Sequence, residues 1–551
     1  MFYFFLILCL SAVMSLPLFH NELITAHDFI GGFQRALSIH QSWRDGDLLA
    51  RWMPYTLNGY GYPMTNFYPP LFSYLAALLM FIFKPILAFN IAVFMFLFAS
   101  GLAMYYLGKA IWGRQGGLIS AVAYLLAPYH IVDIYVRGAV AESAGFIYPP
   151  LLLLVILKLS RKISLSWVLG GIAVLTGLLL THAIVAMFFL PIAAVFLLGC
   201  VYRKADAARL LWIAGVMLLF SILLSLYFWL PVIVENQFVS SYRFTNGYYD
   251  FHQHFVKLAE LLYAPIGLRI DSVSVMIGVV HLTLALSVIV FWKRISLQVA
   301  GAGKKILFFA LIAIAAVLLM LPLSVRVWEI IPVFKLVQFP WRFLLCVVFA
   351  LSVLSGGVLY LLPQRFRGFA LWGVLLILIA ANLSYTFRFK YDQVQVDDIK
   401  MALARIHPND NMEYLPRWVK QINLTAPNSR LQVWQGQAQV IDQGGSGLDR
   451  RFLVRGTQES MLSYYAYYYP GWEVFIDGKR TEIHPDNPFG LMAFAVPAGE
   501  HQVRIHFGTT PWRVLAQTVS FIALLLFVVV LIKRRSLIQW LHIKYPGVLD
   551  G

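Results

Sequence analysis

PPLFSYLAALLMFIFKP, residues 69–85, decides how this chain is threaded. Its apolar centre, 71–83, opens at Pro69-Pro70 and stops at Lys84-Pro85. It is shorter than the roughly 20 residues a helix needs to cross the hydrocarbon core. Whether it crosses sets the side of the membrane on which every later loop lies. Further apolar runs surround it, at 1–19, 86–107, 117–127, 145–157, 167–181, 183–199, 210–231, 275–292, 306–322, 342–362, 369–386 and 515–532. The chain is 60% hydrophobic and only 13% charged, against about a quarter charged in soluble domains. Lipid offers the backbone no hydrogen-bond partner, so these runs are expected to be helices.

The formal charge of +17 raises nucleic acid as a partner, and its placement argues against one. Six short segments between or after apolar runs, 108–116, 158–162, 203–209, 293–305, 363–368 and 533–551, hold 18 basic residues against two acidic ones, Asp206 and Asp550, which accounts for +16 of the total. Basic residues confined to short loops are the signature of cytoplasmic loops, not of a phosphate-binding face.

If every run crossed from a cytoplasmic N-terminus, the basic loops from 108 to 368 would fall outside. Demoting 71–83 to a re-entrant or surface-lying helix returns all six segments to the cytoplasm. The expectation is about twelve spans with both termini cytoplasmic and the segments 20–70, 128–144, 232–274, 323–341 and 387–513 outside. Residues 1–19 lack a basic leader and a small-residue cleavage site, so a retained first helix is expected rather than a signal peptide. Cys9, Cys200 and Cys346 lie in or beside apolar runs and read as buried small hydrophobes.

Residues 387–513 differ in kind. Short alternating runs such as Trp472-Glu473-Val474-Phe475-Ile476 are separated by turn signals, of which Asp477-Gly478 is a strong hairpin turn. The expectation is a helical start near 396–406 followed by a small antiparallel β-sandwich closed by Gln502–Phe507. The chain thus divides into a membrane module, 1–386, an extracytoplasmic β domain, 387–513, and a last helix with a basic tail, 514–551.

Ionisable groups beside membrane helices are costly and therefore informative. The first outer segment holds His27-Asp28 and Arg35, spaced to share a face if the stretch is helical. The second holds His130, Asp133, Arg137 and Glu142, with Asp133 and Arg137 at ion-pair spacing. His182 and Arg342 each stand at an outer helix end. The bland readings are a helix cap for Asp28, a structural ion pair for Asp133 with Arg137, a cap or orienting acid for Glu142, an interhelical hydrogen bond for His182 and a snorkelling anchor for Arg342. The alternating tyrosines 464–469 read as strand packing before carbohydrate binding.

The long first outer loop, the acid just after the first helix and the entry run Phe67-Tyr68-Pro69-Pro70-Leu71 resemble the GT-C superfamily of membrane glycosyltransferases. The closer resemblance is to the bacterial YfhO-like membrane proteins, also labelled as pyruvoyl-tetrahydropterin-synthase-related. It rests on GYGYPMTNFYPPL (59–71), RGAVAES (137–143), TH (181–182), QFPWRF (338–343), EYLP (413–416) and YYPGWEVFIDGK (468–479). Pterin-synthase chemistry would want a compact zinc site, and no His/Cys cluster of ligand spacing is present.

The superfamily resemblance implies a sugar donor on a polyprenyl phosphate and a first-loop acid that serves as base or binds a metal. That role falls on Asp28, with His27 where a second acid would often stand, so a divalent metal stays open. Sugar transfer also asks for cations at the departing phosphate. Arg342 suits it by its bidentate fork and Arg137 is second, with His182, Asp133, Glu142 and Tyr68 as further substrate contacts. The leading expectation is an inverting glycosyltransferase of the bacterial plasma membrane acting on a glycan or glycolipid acceptor. A transporter or flippase of lipid-linked sugar, and a non-catalytic envelope-assembly scaffold, are the rivals. No internal repeat is visible, and the ionisable groups cluster at helix ends rather than at the midplane, which disfavours a transporter.

Overall fold

The computed structural model of the protein describes residues 1–20, 22–240, 245–263, 273–387, 391–392, 412–422 and 425–544. The expected helical start near 396–406 lies outside the described residues. Among the described residues, seven helices are long and apolar enough to cross a membrane: Pro85–Leu125, Val140–Arg161, Ala183–Val201, Ala207–Phe238, Ala302–Met320, Gln364–Phe387 and Pro511–Arg534. Four shorter apolar helices, Phe2–Leu18, Leu165–Thr181, Val279–Val290 and Pro340–Ser355, accompany them. The expected figure of about twelve crossings is therefore met by length in seven elements.

The short apolar run 71–83 contains a helix, Leu71–Leu79, of nine residues. At 1.5 Å per residue it is about 13 Å long, less than half a hydrocarbon core. It buries Phe72, Ala76 and Ala77 against Phe29–Arg44 and the start of Pro85–Leu125.

Pro85–Leu125 is one stretch in name only. Gly113 adopts φ 75°, which breaks the helix, and the chain doubles back. A Cβ on Gly117 would lie 2.7 Å from the Lys109 amide nitrogen and 2.8 Å from the Tyr105 carbonyl oxygen. In a straight helix residues twelve apart are about 18 Å distant. The limbs 85–112 and 114–125 thus form a hairpin whose backbones meet across glycines, with Lys109 and Arg114 at its turn.

That turn belongs to one side of the bundle. Arg161 donates to the Ala110 carbonyl at 3.3 Å, and Lys204 donates to the Ser160 carbonyl. Tyr360 donates to the Trp112 carbonyl at 3.0 Å, while Gln298 donates to the Tyr360 carbonyl at 2.9 Å and accepts from Arg367. Five of the six basic segments are joined by these contacts.

The opposite side carries the β domain. A short ladder pairs β1, Leu23–Ile24, with β2, Tyr391–Asp392. Then follow β3 (Leu431–Gln435), β4 (Ala438–Gly445), β5 (Asp449–Gly456), β6 (Ser460–Tyr467), β7 (Trp472–Ile476), β8 (Lys479–Thr481), β9 (Leu491–Val496) and β10 (Gly499–Phe507). They make a five-stranded sheet, β4-β5-β10-β7-β8, and a three-stranded one, β3-β6-β9. Every strand pairing is antiparallel, and inward residues such as Phe452, Leu462, Val474, Phe494 and Ile505 share one core. Asp477 (φ 49°) and Gly478 (φ 79°) close the β7–β8 hairpin in the doubly positive form that a two-residue loop favours.

One feature of this domain differs from the expected partition. Trp52, Tyr60, Tyr62 and Phe67 of the first long loop belong to the same core as the sandwich. Tyr60 stacks on Tyr467 at 5.1 Å and Trp52 on Tyr469 at 5.7 Å. The Tyr467 amide donates to the Tyr60 carbonyl at 2.8 Å. Large aromatics contribute most to core burial, so the domain is completed by residues placed hundreds of positions earlier.

Overpacking tests the hairpin. Gly117→Leu is expected to lower stability by about 1–3 kcal/mol, read as a lower Tm in detergent. Gly170→Leu, where nothing lies within 4 Å of the added carbon, is expected to stay within about 0.5 kcal/mol.

Candidate functional site

The segment RGAVAES follows the helix Pro128–Tyr135 and opens the helix Val140–Gly145. Between them Gly138 sits at φ 64°, where a Cβ would come 2.6 Å from the Phe29 amide nitrogen. Only glycine accepts both the angle and the approach. The first loop lies against this stretch in consequence: the His27 amide donates to the Val136 carbonyl at 3.2 Å and the Asp28 amide to the Arg137 carbonyl at 2.7 Å. Two segments far apart in sequence are thereby fixed edge to edge.

Glu142 is the hub. It is fully buried and takes both Arg137 terminal nitrogens, Nη1 at 2.8 Å and Nη2 at 3.0 Å. Tyr129 donates to it at 2.7 Å. Arg342 Nε stands 3.6 Å from Oε2 and His182 Nε2 4.0 Å away. Arg137 also pairs with Asp133 and lies 4.8 Å from the Trp341 ring centroid. The expected Asp133–Arg137 pair is present, and its arginine is engaged on both arms.

Arg342 is engaged on one arm only. Its Nη1 donates to the Val337 carbonyl at 2.9 Å and to Gln338 Oε1 at 3.2 Å, and its guanidinium stands 5.0 Å from the Phe339 ring. No hydrogen bond engages its Nη2 among the described residues. Arg35 is freer still. It is 6% exposed, its guanidinium lies 3.9 Å from the Tyr68 ring centroid, and its closest polar contact is Met64 Sδ at 3.5 Å. Among the described residues its Nε has no hydrogen-bond partner, and no carboxylate forms an ion pair with it. A buried cation without a counter-charge is costly.

Tyr68 joins the two halves. Burial pushes its phenol above the ordinary value, and the charges of Arg35, Asp28, Arg342 and Glu142 all act on it. Tyr414, from the EYLP segment, feels Tyr68 and Arg35 as well as Glu413, and burial again raises its phenol. Both phenols therefore stay neutral and serve as stacking surfaces or donors.

Asp28 occupies the N-cap position of the helix Phe29–Arg44 without a side-chain capping bond. Its side chain is exposed and makes no hydrogen bond or ion pair among the described residues. The helix-cap reading supplies no partner for it. His27, beside it, is half-buried. Among the described residues no three His, Cys, Asp or Glu side chains gather as metal ligands. One carboxylate and one imidazole fall short of the oxygen-rich set a hard divalent cation takes, so the residues present do not by themselves make up a metal site.

The structure thus brings Asp133, Arg137, Glu142, His182 and Arg342 into contact, and sets Tyr68 and Asp28 in their field. The spacing of Arg35 from Asp28 is visible in the sequence, but nothing there gives Arg35 a role. Tyr129 and Tyr414 carried no signal apart from lying in or next to quoted motifs.

A model of the family described as "6-pyruvoyl-tetrahydropterin synthase related domain; membrane protein" matches residues 65–390. An uncharacterized protein of Lactococcus lactis subsp. cremoris (strain MG1363) is 23% identical over 262 residues, which are 46% of this chain and 42% of that protein. Among solved structures, the arabinofuranosyltransferase AftD from Mycobacteria gives a TM-score of 0.43 at 15% identity, over 70% of this chain and 26% of its own. ArnT from Cupriavidus metallidurans, bound to undecaprenyl phosphate, gives 0.40 at 15% identity, over 68% and 62%. The archaeal oligosaccharyltransferase AglB from Archaeoglobus fulgidus gives 0.40 at 13% identity, over 74% and 56%. These likenesses are partial, and the chain spans less than two thirds of the length of each of these proteins.

Removing the hub should cost more than removing a spoke. Glu142→Gln is expected to destabilise the protein by about 3–5 kcal/mol, because it breaks a buried ion pair. Arg342→Gln, which gives up the longer contact to Glu142 and the two hydrogen bonds of Nη1, should cost less, about 1–3 kcal/mol. Denaturation in detergent checks both.

Proposed function

Since this chain belongs to the family of membrane proteins described as 6-pyruvoyl-tetrahydropterin synthase related, its chemistry is to be sought in residues beside the bilayer, and we propose that it is a GT-C-type glycosyltransferase. In this reading it transfers a sugar from a polyprenyl-phosphate donor to a glycan or glycolipid acceptor of the cell envelope. The supporting observation is Arg35, a buried guanidinium with no carboxylate partner among the described residues, stacked on Tyr68 in the field it shares with Asp28 and Arg342.

The reaction runs as a single displacement. Asp28 takes the proton from the acceptor hydroxyl, whose oxygen bonds to the anomeric carbon as the bond from that carbon to the phosphate oxygen breaks. The electron pair leaves with the polyprenyl phosphate, and the charge is met by Arg35 and by the free arm of Arg342. A single attack from the face opposite the phosphate inverts the anomeric centre. Arg137, itself paired with Asp133, holds Glu142, which in turn aims Arg342 and His182. The basic segments place their own side in the cytoplasm, and the site and β domain then lie at the outer face of a bacterial plasma membrane, where the domain positions the acceptor.

Purified protein given polyprenyl-phosphate sugars and envelope acceptors is expected to transfer the sugar. Asp28→Asn should lower the rate about 10²–10⁴-fold at unchanged Tm. Full transfer by this variant would remove Asp28 from the chemistry. Lack of transfer by the unaltered protein, with the envelope still defective in its absence, would favour a flippase or scaffold.

A further inference from the structure

A second buried carboxylate lies away from the site just described. Glu235 ends the helix Ala207–Glu235 and is 2% exposed. Arg513 holds it with two parallel bonds, Nε to Oε1 at 2.8 Å and Nη2 to Oε2 at 2.8 Å. Tyr469 donates to Oε2 at 2.9 Å, Asn66 at 2.8 Å, and Thr510 donates to Oε1 at 3.2 Å. One carboxylate thus gathers a membrane helix, the β domain, the root of the last helix and the first long loop. A fully bonded buried ion pair is weak evidence for stability, since apolar side chains often serve as well. Its better-attested use is to fix one arrangement among several.

What it fixes is visible in the helix Met64–Phe67. Asn66 is tied to Glu235 and also accepts from Arg51 at 3.2 Å. Met64 lies against Arg35. Phe67 stacks on Tyr414 at 5.2 Å with an interplanar angle of 11°. Tyr68, the next residue, carries the Arg35 guanidinium on its ring. A four-residue helix cannot hold its own position by backbone bonds, so its place is set by what its side chains grip.

We infer that Glu235 is a positioning residue: through Asn66 it locks the helix Met64–Phe67, and with it the Arg35–Tyr68 anion site, to the β domain. This rests on the reading that Arg35 and Tyr68 receive the donor phosphate. An error of about 1 Å in such a site is enough to cost about two orders of magnitude in a reaction. Moving the β domain therefore moves the phosphate site.

Two measurements separate this role from simple stabilisation. Tyr469→Phe removes one hydroxyl without changing packing volume, and Glu235→Gln removes the charge. Both are expected to speed amide hydrogen exchange at residues 64–68 in the ligand-free protein, leaving β5 and β10 unchanged. Exchange unchanged at 64–68, or raised throughout the domain, would overturn the lock. A short-chain polyprenyl phosphate is then titrated against the unaltered protein and the variants. Binding at least tenfold weaker is expected for each, with no further loss when Glu235→Gln is added to Arg35→Gln. Additive losses would show that Glu235 does not act through Arg35. If the unaltered protein fails to bind this lipid, the donor-phosphate reading fails, while the exchange experiment still decides the lock.

Discussion

A carboxylate taken out of water needs a cation or a donor on each oxygen, or the chain does not fold around it. Glu142 meets that requirement with Arg137, Tyr129, Arg342 and His182, which come from the segments 128–145, 181–182 and 338–343. The arrangement of the helix ends around the site follows from this demand. Arg137 cannot turn elsewhere without stranding two acids. Arg342, held on one side only, keeps an arm for something else.

The same accounting makes Arg35 conspicuous. Among the arginines around the hub, Arg137 has two carboxylates and Arg342 has one at longer range. Arg35 is as buried as these and has an aromatic face and a sulfur atom. Cation–π contact offsets only part of the desolvation of a guanidinium. An anionic ligand beside Tyr68 would supply the rest. The proposed donor phosphate therefore falls beside Arg35 rather than Arg137, whose donors are engaged.

The β domain is tied to this site more closely than its position in the chain suggests. Its core contains Trp52, Tyr60 and Phe67, its Tyr414 lies in the field of Arg35 and Tyr68, and its Tyr469 bonds Glu235. Membrane module and domain are one mechanical unit at the point where the first loop enters the bundle.

Several features were legible in residues alone because the forces behind them are local. Hydropathy marked the helices, among them the short one within 71–83. Basic residues in short loops grouped five connections that do touch. Asp477-Gly478 announced its hairpin because few residues tolerate two positive φ angles. The i, i+4 spacing of Asp133 and Arg137 announced their pair. Partnership across the fold was not legible in the same way. Nothing local distinguishes Arg35, which lacks a carboxylate among the described residues, from Arg513, which has one, and no periodicity tells Trp52 to pack into a sandwich formed after residue 430. Those outcomes depend on which surfaces the folded chain brings together, and a buried charge or ring acquires its role only from the neighbours that tertiary structure supplies.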